Sequence, residues 1–135
     1  MEVAFWWRVL ITGLGLGCVV RGLLASPRIE RIDVVELDAD ILRIIGSEFV
    51  DDRRVSLHHG DALTIEFPER RTWDFAWHDL WTDGERHLQS LHAELMVRFR
   101  DRVVHQQGAW AFPQAMKKYW SRFYPLLGAP KVRAA

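Results

Sequence analysis

Three glycines at alternate positions follow an apolar segment near the start of the chain, in the stretch VLITGLGLG at residues 9–17. The apolar residues predict a short buried strand over 8–12. Because glycine has no Cβ atom, the backbone after this strand can turn sharply and a ligand can approach it closely. A helix is predicted over 17–25, ended by Ser26-Pro27. A strand, a glycine turn and a helix in this order are typical of a parallel α/β sheet.

Strand and helix patterns continue to alternate along the rest of the chain. Further strands are predicted over residues 32–37, 54–58, 73–78 and 108–112. Helices are predicted over 39–46, from a capping box of Thr82 and Glu85 through Val103, and over 113–127. This alternation predicts an α/β fold, a Rossmann-like parallel sheet of about five strands with helices on both faces. We expect one domain covering residues 1–135, since no linker or repeat interrupts the pattern.

Charge divides the chain into an acidic part and a basic part. The first 101 residues carry 12 basic and 18 acidic side chains, whereas the rest carries six basic and none acidic. Such polarity predicts a basic surface for an anionic partner, a nucleic acid among them, or else a solvated helix face. Cys18 is the lone cysteine, which excludes an intramolecular disulfide and favours a cytoplasmic protein. No apolar segment is long enough to span a membrane, and Glu2 argues against a signal peptide.

Acidic residues follow three of the predicted strands, at the edge where ligands bind in open parallel sheets. Glu36 lies at the exposed end of the second strand, Asp61 follows the third and Asp79 follows the fourth. A carboxylate at Glu36 can accept hydrogen bonds from both ribose hydroxyls of a nucleoside. Asp61 can accept one from the exocyclic amine of adenine, with Ala62 offering its backbone N–H. Together with the glycine turn, these residues predict a nucleoside site.

The stretches VLITGLGLG, IDVVELD, HHGDAL and WDFAWHDLW resemble motifs of the class I S-adenosylmethionine-dependent methyltransferases. The stretches VVELDADIL and DDRRVSLHHGDA are similar to the spermidine-synthase-like branch, and the resemblance covers residues 8–83. It implies S-adenosyl-L-methionine as cofactor and a methyltransferase whose acceptor, a small molecule or a nucleic acid, is not identified. It also implies that Gly13, Gly15 and Gly17 border the methionine part, Glu36 holds the ribose, Asp61 with Ala62 holds the adenine and Asp79 faces the reacting end.

The sequence departs from that family in several places. Members usually carry a helix before the first strand and a β-hairpin after the fifth, so we expect a sheet shortened at both ends. Spermidine synthases carry an Asp-x-x-Asp motif after the fourth strand, whereas Asp79 and Asp83 are four residues apart. No Asn-Pro-Pro-Tyr-type motif is present. The substrate pocket is therefore expected to be minimal, built across a dimer or missing.

Other interpretations remain open at this point. A dinucleotide fingerprint would place its third glycine where Cys18 stands, and it assigns no role to Asp61. A cofactor-binding interaction module without catalysis and an aminopropyltransferase are further alternatives. A free edge at the fifth strand and aromatic residues at both ends of the chain predict a homodimer.

Asp79 is the candidate catalytic residue, either as a general base or as a group that orients the acceptor, and His78 is second. Alternation along the strand predicts that only one of the two faces the pocket. His58, His59 and His78 end neighbouring strands, but no tight ligand spacing accompanies them. We expect polar contacts for these histidines and no metal site.

Overall fold

A computed structural model describes residues 6–80 and 85–109 of the chain. Its strands are β1 (Trp7–Thr12), β2 (Ile29–Glu36), β3 (Val55–His59), β4 (Trp73–His78) and β5 (Val103–Ala109). Its helices are α1 (Cys18–Leu24), α2 (Ala39–Ile44) and α3 (Glu85–Phe99), with a 3-10 helix over Gly46–Phe49. The strands form a parallel sheet in the order β3-β2-β1-β4-β5. The predicted five-stranded parallel sheet is confirmed.

The central strands are buried on both faces, as the apolar runs in the sequence predict. In β1, Ile11 pairs with Val34 of β2 on one side and with Trp77 of β4 on the other. Leu10 and Ile11 are both essentially inaccessible to solvent, although they point to opposite faces. Two hydrophobic cores therefore lie on the two sides of the sheet.

The helices cover these two cores unequally. One core joins the sheet to α1, α2 and Phe49 of the 3-10 helix. The other joins it to α3, through Leu95 and Phe99, and to the loop between β3 and β4, through Phe67. Helices on both faces fit the right-handed crossovers that parallel strands require. The glycine turn after β1 and the loops after β2 and β4 thereby meet at one edge of the sheet.

The predicted start of the fifth strand is wrong. The structure begins β5 at Val103 and ends α3 at Phe99, whereas the sequence pattern assigns Val103 to the helix and starts the strand at Gly108. The polar residues His105, Gln106 and Gln107 hide this strand from a search for apolar runs. Residues 110–112 lie outside the described residues, as do the capping box at Thr82 and the helix predicted over 113–127.

Within the described residues, no helix is both long and apolar enough to cross a membrane.

Candidate functional site

A cleft of about 650 Å³ opens where β1, β2 and β4 end, at the edge of the sheet predicted to bind a ligand. Five of the seven predicted site residues line it: Gly13, Gly15, Glu36, Asp61 and Asp79. The remaining wall consists of Leu37, Asp38, Ile41, Leu63, Leu80 and Leu91. Residues from four different loops and from α3 thus converge on one cavity.

The glycine turn brings the ends of β1 and β4 into direct contact. A Cβ atom at Gly13 would lie 2.2 Å from the backbone oxygen of Asp79, so no side chain fits there. Gly15 has a φ of +54° and nothing within 4 Å of its missing Cβ. Its backbone therefore lies bare along the cleft, in a conformation that favours glycine.

Gly17 has a different place from the other two glycines. It precedes α1 as its N-cap, and a Cβ atom there would lie 3.0 Å from the Phe49 ring. The lack of a side chain lets the start of α1 pack closely on the 3-10 helix. Gly17 is not part of the cleft wall.

Glu36 holds the glycine turn against the end of β2. One carboxylate oxygen accepts a hydrogen bond from the backbone N–H of Leu14 at 2.7 Å, and the other accepts from Asp38 N–H at 3.0 Å. The residue is only 8% exposed, so the expectation of an exposed strand end is wrong. A carboxylate offers about four lone-pair positions, and two backbone donors leave the others available on the cleft side.

The loop after β3 presents Asp61 to solvent and buries Ala62. The Asp61 carboxylate accepts a hydrogen bond from Leu63 N–H at 2.9 Å, which fixes the turn. The Ala62 carbonyl accepts one from the Arg98 guanidinium at 2.8 Å, and the Ile65 carbonyl accepts a second from the same group. Ala62 lies behind the cleft wall, where α3 anchors the loop.

Asp38 begins α2 as the sequence predicts. Its carboxylate accepts hydrogen bonds from the backbone N–H groups of Asp40 at 2.8 Å and Ile41 at 3.3 Å. These bonds satisfy donors at the helix start that have no partner within the helix. Asp38 borders the cleft while serving as this cap.

Asp79 and His78 lie on opposite sides of the β4 end, as the strand alternation predicts. Asp79 lines the cleft, whereas His78 is fully buried beneath it. The Nδ1 atom of His78 lies 2.8 Å from the Thr12 hydroxyl, and Nε2 lies 2.7 Å from Oε1 of Gln107. The pKa of His78 is lowered to about 4, chiefly by burial; the hydrogen bond with Gln107 opposes this shift and nearby His92 adds to it. His78 is therefore neutral at pH 7 and does not reach an acceptor in the cleft.

The other two strand-end histidines do not line the cleft, and each has a polar partner. His58 Nε2 lies 2.9 Å from the Asp33 carboxylate, and His59 Nε2 donates to the Leu37 carbonyl at 2.9 Å. Among residues 6–80 and 85–109, no three His, Cys, Asp or Glu side chains are grouped so as to hold a metal ion.

Sequence analysis missed a buried acidic residue in the middle of β2. Asp33 is inaccessible to solvent, and its carboxylate accepts hydrogen bonds from four side chains. The donors are Trp73 at 2.8 Å, His58 at 2.9 Å, Arg31 at 3.0 Å and Arg71 at 3.4 Å. Burial alone would raise the pKa of Asp33, but these donors together hold it below its ordinary value. The sequence did contain a signal, an acidic residue within an apolar strand. It gave no indication of which side chains bind that acid.

Part of the chain is similar in sequence to curated ribosomal RNA methyltransferases. The chain is 43% identical over 60 residues to the ribosomal RNA small subunit methyltransferase A of Pseudomonas syringae pv. tomato, covering 44% of this chain and 22% of that protein. The corresponding protein of Nitrosospira multiformis is 42% identical over 55 residues, 41% of this chain and 20% of that protein. The chain thus matches about a fifth of the length of these curated relatives. No protein-family model matches the sequence.

Solved structures share the architecture over most of the chain. CalS10, an amino pentose methyltransferase from Micromonospora echinaspora solved with S-adenosylmethionine bound, has a TM-score of 0.56 at 20% identity, covering 81% of this chain and 45% of that one. An S-adenosylmethionine-dependent methyltransferase from Mesorhizobium loti has a TM-score of 0.55 at 16% identity, covering 76% and 44%. The chain has the fold of the class I S-adenosylmethionine-dependent methyltransferases. In this methyltransferase fold, the cleft lies at the carboxyl ends of the strands, where such sheets bind their ligands.

The same fold also occurs in a protein named for a different reaction. The [4+2]-cyclase SpnF has a TM-score of 0.59 at 14% identity, covering 79% of this chain and 39% of that one. Because one fold hosts several activities, the function must be argued from the cleft and its residues.

Proposed function

We propose that the chain binds S-adenosyl-L-methionine in the cleft and transfers its methyl group to an acceptor. The observation that carries this proposal is the convergence of Gly13, Gly15, Glu36, Asp61 and Asp79 on one cavity. Its volume of about 650 Å³ is within the range of small-molecule and cofactor sites. Its curated and structural relatives include methyltransferases, which supports the same activity.

The residues present fit the chemical groups of this cofactor. Glu36 has acceptor positions left for the ribose hydroxyls after binding two backbone N–H groups. Asp61 presents an exposed carboxylate to the exocyclic amine of adenine. The bare backbone at Gly13 and Gly15 lets the methionine part of the cofactor approach the turn closely. Gly17 and Ala62 support these contacts by packing α1 and the loop after β3.

When bound, S-adenosylmethionine supplies an activated methyl group on a positively charged sulfur, so the protein has mainly to position the reactants and exclude water. We assign to Asp79 the role of orienting the acceptor, or of taking its proton where the acceptor must lose one. His78 is excluded from that role because it is buried and both ring nitrogens are engaged. Leu37, Leu63 and Leu80 add apolar surface to the cleft wall.

We propose a nucleic acid as the acceptor. The matched curated relatives are ribosomal RNA methyltransferases by name, and an RNA base is compatible with an open cleft at the sheet edge. The basic surface predicted for the part of the chain after residue 101 would bind such an acceptor. Arg102, the first residue of that part, does not contribute to it. Its guanidinium donates to the carbonyls of Arg71 and Pro68 and lies over the Trp73 ring, so it has a structural role.

We further propose a cytoplasmic homodimer. An apolar groove of about 500 Å³ is lined by residues that include Trp7, Phe75 and Trp77, and the neighbouring residue Trp6 is 54% exposed. A second copy would cover that apolar surface. Sedimentation at micromolar concentration checks the dimer, and a clean monomer would contradict it. The likeness to the spermidine-synthase-like branch remains a hypothesis, which transfer of an aminopropyl group to a polyamine would support.

Calorimetry with S-adenosylmethionine and NAD, each added to the purified protein, tests the proposed cofactor. Tighter binding of S-adenosylmethionine is expected, and tighter binding of NAD would contradict the proposal. Radiolabelled methyl transfer to RNA and to small-molecule extracts then tests the activity. Binding without transfer to either would favour the second candidate, a cofactor-binding module that transfers no methyl group. The likeness to SpnF, a protein named as a cyclase, supports only the point that this fold is not confined to methyltransferases.

A further inference from the structure

A series of buried and partly buried hydrogen bonds starts next to the cleft residues Gly13 and Asp79. It runs from the Thr12 hydroxyl to His78 at 2.8 Å, from His78 to the Gln107 side chain at 2.7 Å and from Gln107 to the Met96 carbonyl at 2.8 Å. Thr12 and His78 are inaccessible to solvent. These hydrogen bonds therefore connect the ends of β1 and β4 with β5 and α3.

Each group in this series has one defined hydrogen-bonding role. Gln107 donates its amide N–H to the Met96 carbonyl, so its oxygen is the atom that faces His78. An amide oxygen only accepts, and His78 therefore donates through Nε2–H and accepts the Thr12 hydroxyl proton at Nδ1. The His78 ring also stacks on Phe99, with 6.1 Å between ring centroids. Two hydrogen bonds and a stacked ring fix the orientation of this imidazole.

The same elements hold the backbone on both sides of Asp79. Asp79 N–H donates to the Thr12 carbonyl at 2.7 Å, and Thr12 is paired with His78 in the sheet. On the other side, the buried His92 ring of α3 interacts with the backbone of Leu80. Asp79 thus lies between His78, which is bound to Gln107 of β5, and Leu80, which contacts His92 of α3. Asp79 therefore lines the cleft from a backbone that is held on both sides.

We propose that His78 is a positioning residue that holds the Asp79 carboxylate beside the reacting sulfur of the bound cofactor. Its effect is a preference of the cleft for a positively charged sulfonium over a neutral thioether. The inference rests on the proposed function, since it assumes that S-adenosylmethionine occupies the cleft. It adds that Asp79 attracts the charged sulfur only while Thr12, His78 and Gln107 stay linked.

Two ligands that differ in this charge make the placement of Asp79 measurable without a known acceptor. S-adenosylmethionine carries the positive sulfur, whereas its demethylated product S-adenosylhomocysteine is uncharged there. A carboxylate close to the sulfur favours the cation by Coulomb attraction. A general loosening of the cleft weakens both ligands alike, so the ratio of their affinities reports where Asp79 lies.

The test measures the dissociation constants of both ligands for the wild-type protein and three variants. We expect Asp79→Asn to lower the preference for S-adenosylmethionine by about fivefold, the size of a partly exposed charge interaction. Thr12→Val removes the hydroxyl that binds His78 and should lower the preference by a similar factor. Thr12→Ser keeps the hydroxyl and should restore the wild-type ratio.

Each outcome bears on a different claim. Wild-type protein that binds neither ligand contradicts the proposed function itself. If Asp79→Asn leaves the ratio of the two affinities unchanged, the inference is overturned and the proposed function stands. The same holds if Asp79→Asn lowers the ratio but Thr12→Val does not. If Thr12→Val does not fold, Gln107→Met breaks the same series of hydrogen bonds at its other end and should lower the ratio equally. In that case, an unchanged ratio in a folded Gln107→Met protein overturns the inference.

Discussion

Two buried carboxylates on β2, Asp33 and Glu36, differ in what binds them. Asp33 is surrounded by four side-chain donors, two of them arginines, in the middle of the strand. Glu36 is bound by two backbone N–H groups at the end of the strand and lines the cleft. Both side chains are almost inaccessible to solvent. Burial of an acid therefore does not by itself mark a ligand site.

The difference lies in how much hydrogen-bonding capacity the protein itself uses. Four donors occupy the acceptor positions of the Asp33 carboxylate. Only two donors bind the Glu36 carboxylate, so half of its acceptor positions are left for a ligand. The donors of Asp33 come from three strands and a loop, so they hold the sheet together. Those of Glu36 come from the turn and the helix cap that form the cleft wall. We infer that Asp33 serves stability and that Glu36 serves both stability and binding.

The largest expected effect is on stability, at Asp33. Asp33→Ala leaves the Trp73 N–H and three basic side chains without their common acceptor. Removing one partner of a buried charged cluster typically costs about 3–5 kcal/mol of unfolding free energy. Urea denaturation should show that loss, while the folded fraction keeps its wild-type affinity for S-adenosylmethionine. A folded Asp33→Ala protein that loses affinity would break the distinction between the two acids.

The next effect concerns His78, a buried base rather than a buried acid. Its pKa of about 4 in the folded protein lies below the ordinary 6.5 of the unfolded chain. As pH falls from 6.5 to 4, the unfolded state takes up a proton that the folded state refuses. The unfolding free energy should therefore decrease over this window by about 3 kcal/mol, at 1.36 kcal/mol per pKa unit.

Urea denaturation at several pH values between 7 and 4 measures this dependence. His92, whose pKa burial also lowers, acts in the same direction, whereas the lowered pKa of Asp33 affects stability only at more acidic pH. His78→Gln removes the titrating group and should flatten the profile, leaving the part due to His92. An equally steep profile in His78→Gln would show that His78 is not the group responsible.

At Glu36 we expect a smaller change, both in the unfolding free energy and in the affinity for S-adenosylmethionine. Glu36→Ala deprives the N–H groups of Leu14 and Asp38 of their acceptor and removes the group assigned to the ribose. Each loss is expected to cost about 1–3 kcal/mol, the usual range for a buried polar group left unpaired. Calorimetry should show affinity for S-adenosylmethionine falling by about 10- to 100-fold. Unchanged affinity in a folded variant would show that Glu36 only stabilises the glycine turn and does not bind the ligand.

The sequence was sufficient to predict features that depend on neighbouring residues. The glycine turn, the cap at Asp38 and the acids after three strands all follow from local patterns, and they lie where these patterns predict. The parallel sheet follows from the alternation of strands and helices. The expected number of strands was correct for the same reason, although one boundary was not.

What sequence analysis missed depends on partners far apart in the chain. The donors of Asp33 include residues 25, 38 and 40 positions away, and Gln107 is 29 positions from His78. No local period reveals such pairs. The β5 boundary was misplaced for the same reason. Gln107 is polar, and its hydrogen bond to the buried His78 of β4 makes it compatible with a strand.

The smallest expected effect separates the backbone of the cleft from its carboxylates. Gly15→Ala leaves every contact of Glu36 and Asp33 in place, and its Cβ would meet nothing within 4 Å. The cost comes from a φ of +54°, a left-handed conformation worth about 1 kcal/mol of strain for a residue with a side chain. Gly22→Ala is the matched control, because Gly22 lies within α1, has equal space and should gain about 0.5–1 kcal/mol. If denaturation shows these opposite signs and Gly15→Ala also weakens S-adenosylmethionine, the bare backbone contributes to binding independently of Glu36. If affinity stays unchanged, the glycine serves the turn alone, and Glu36 accounts for the β1–β2 side of the site.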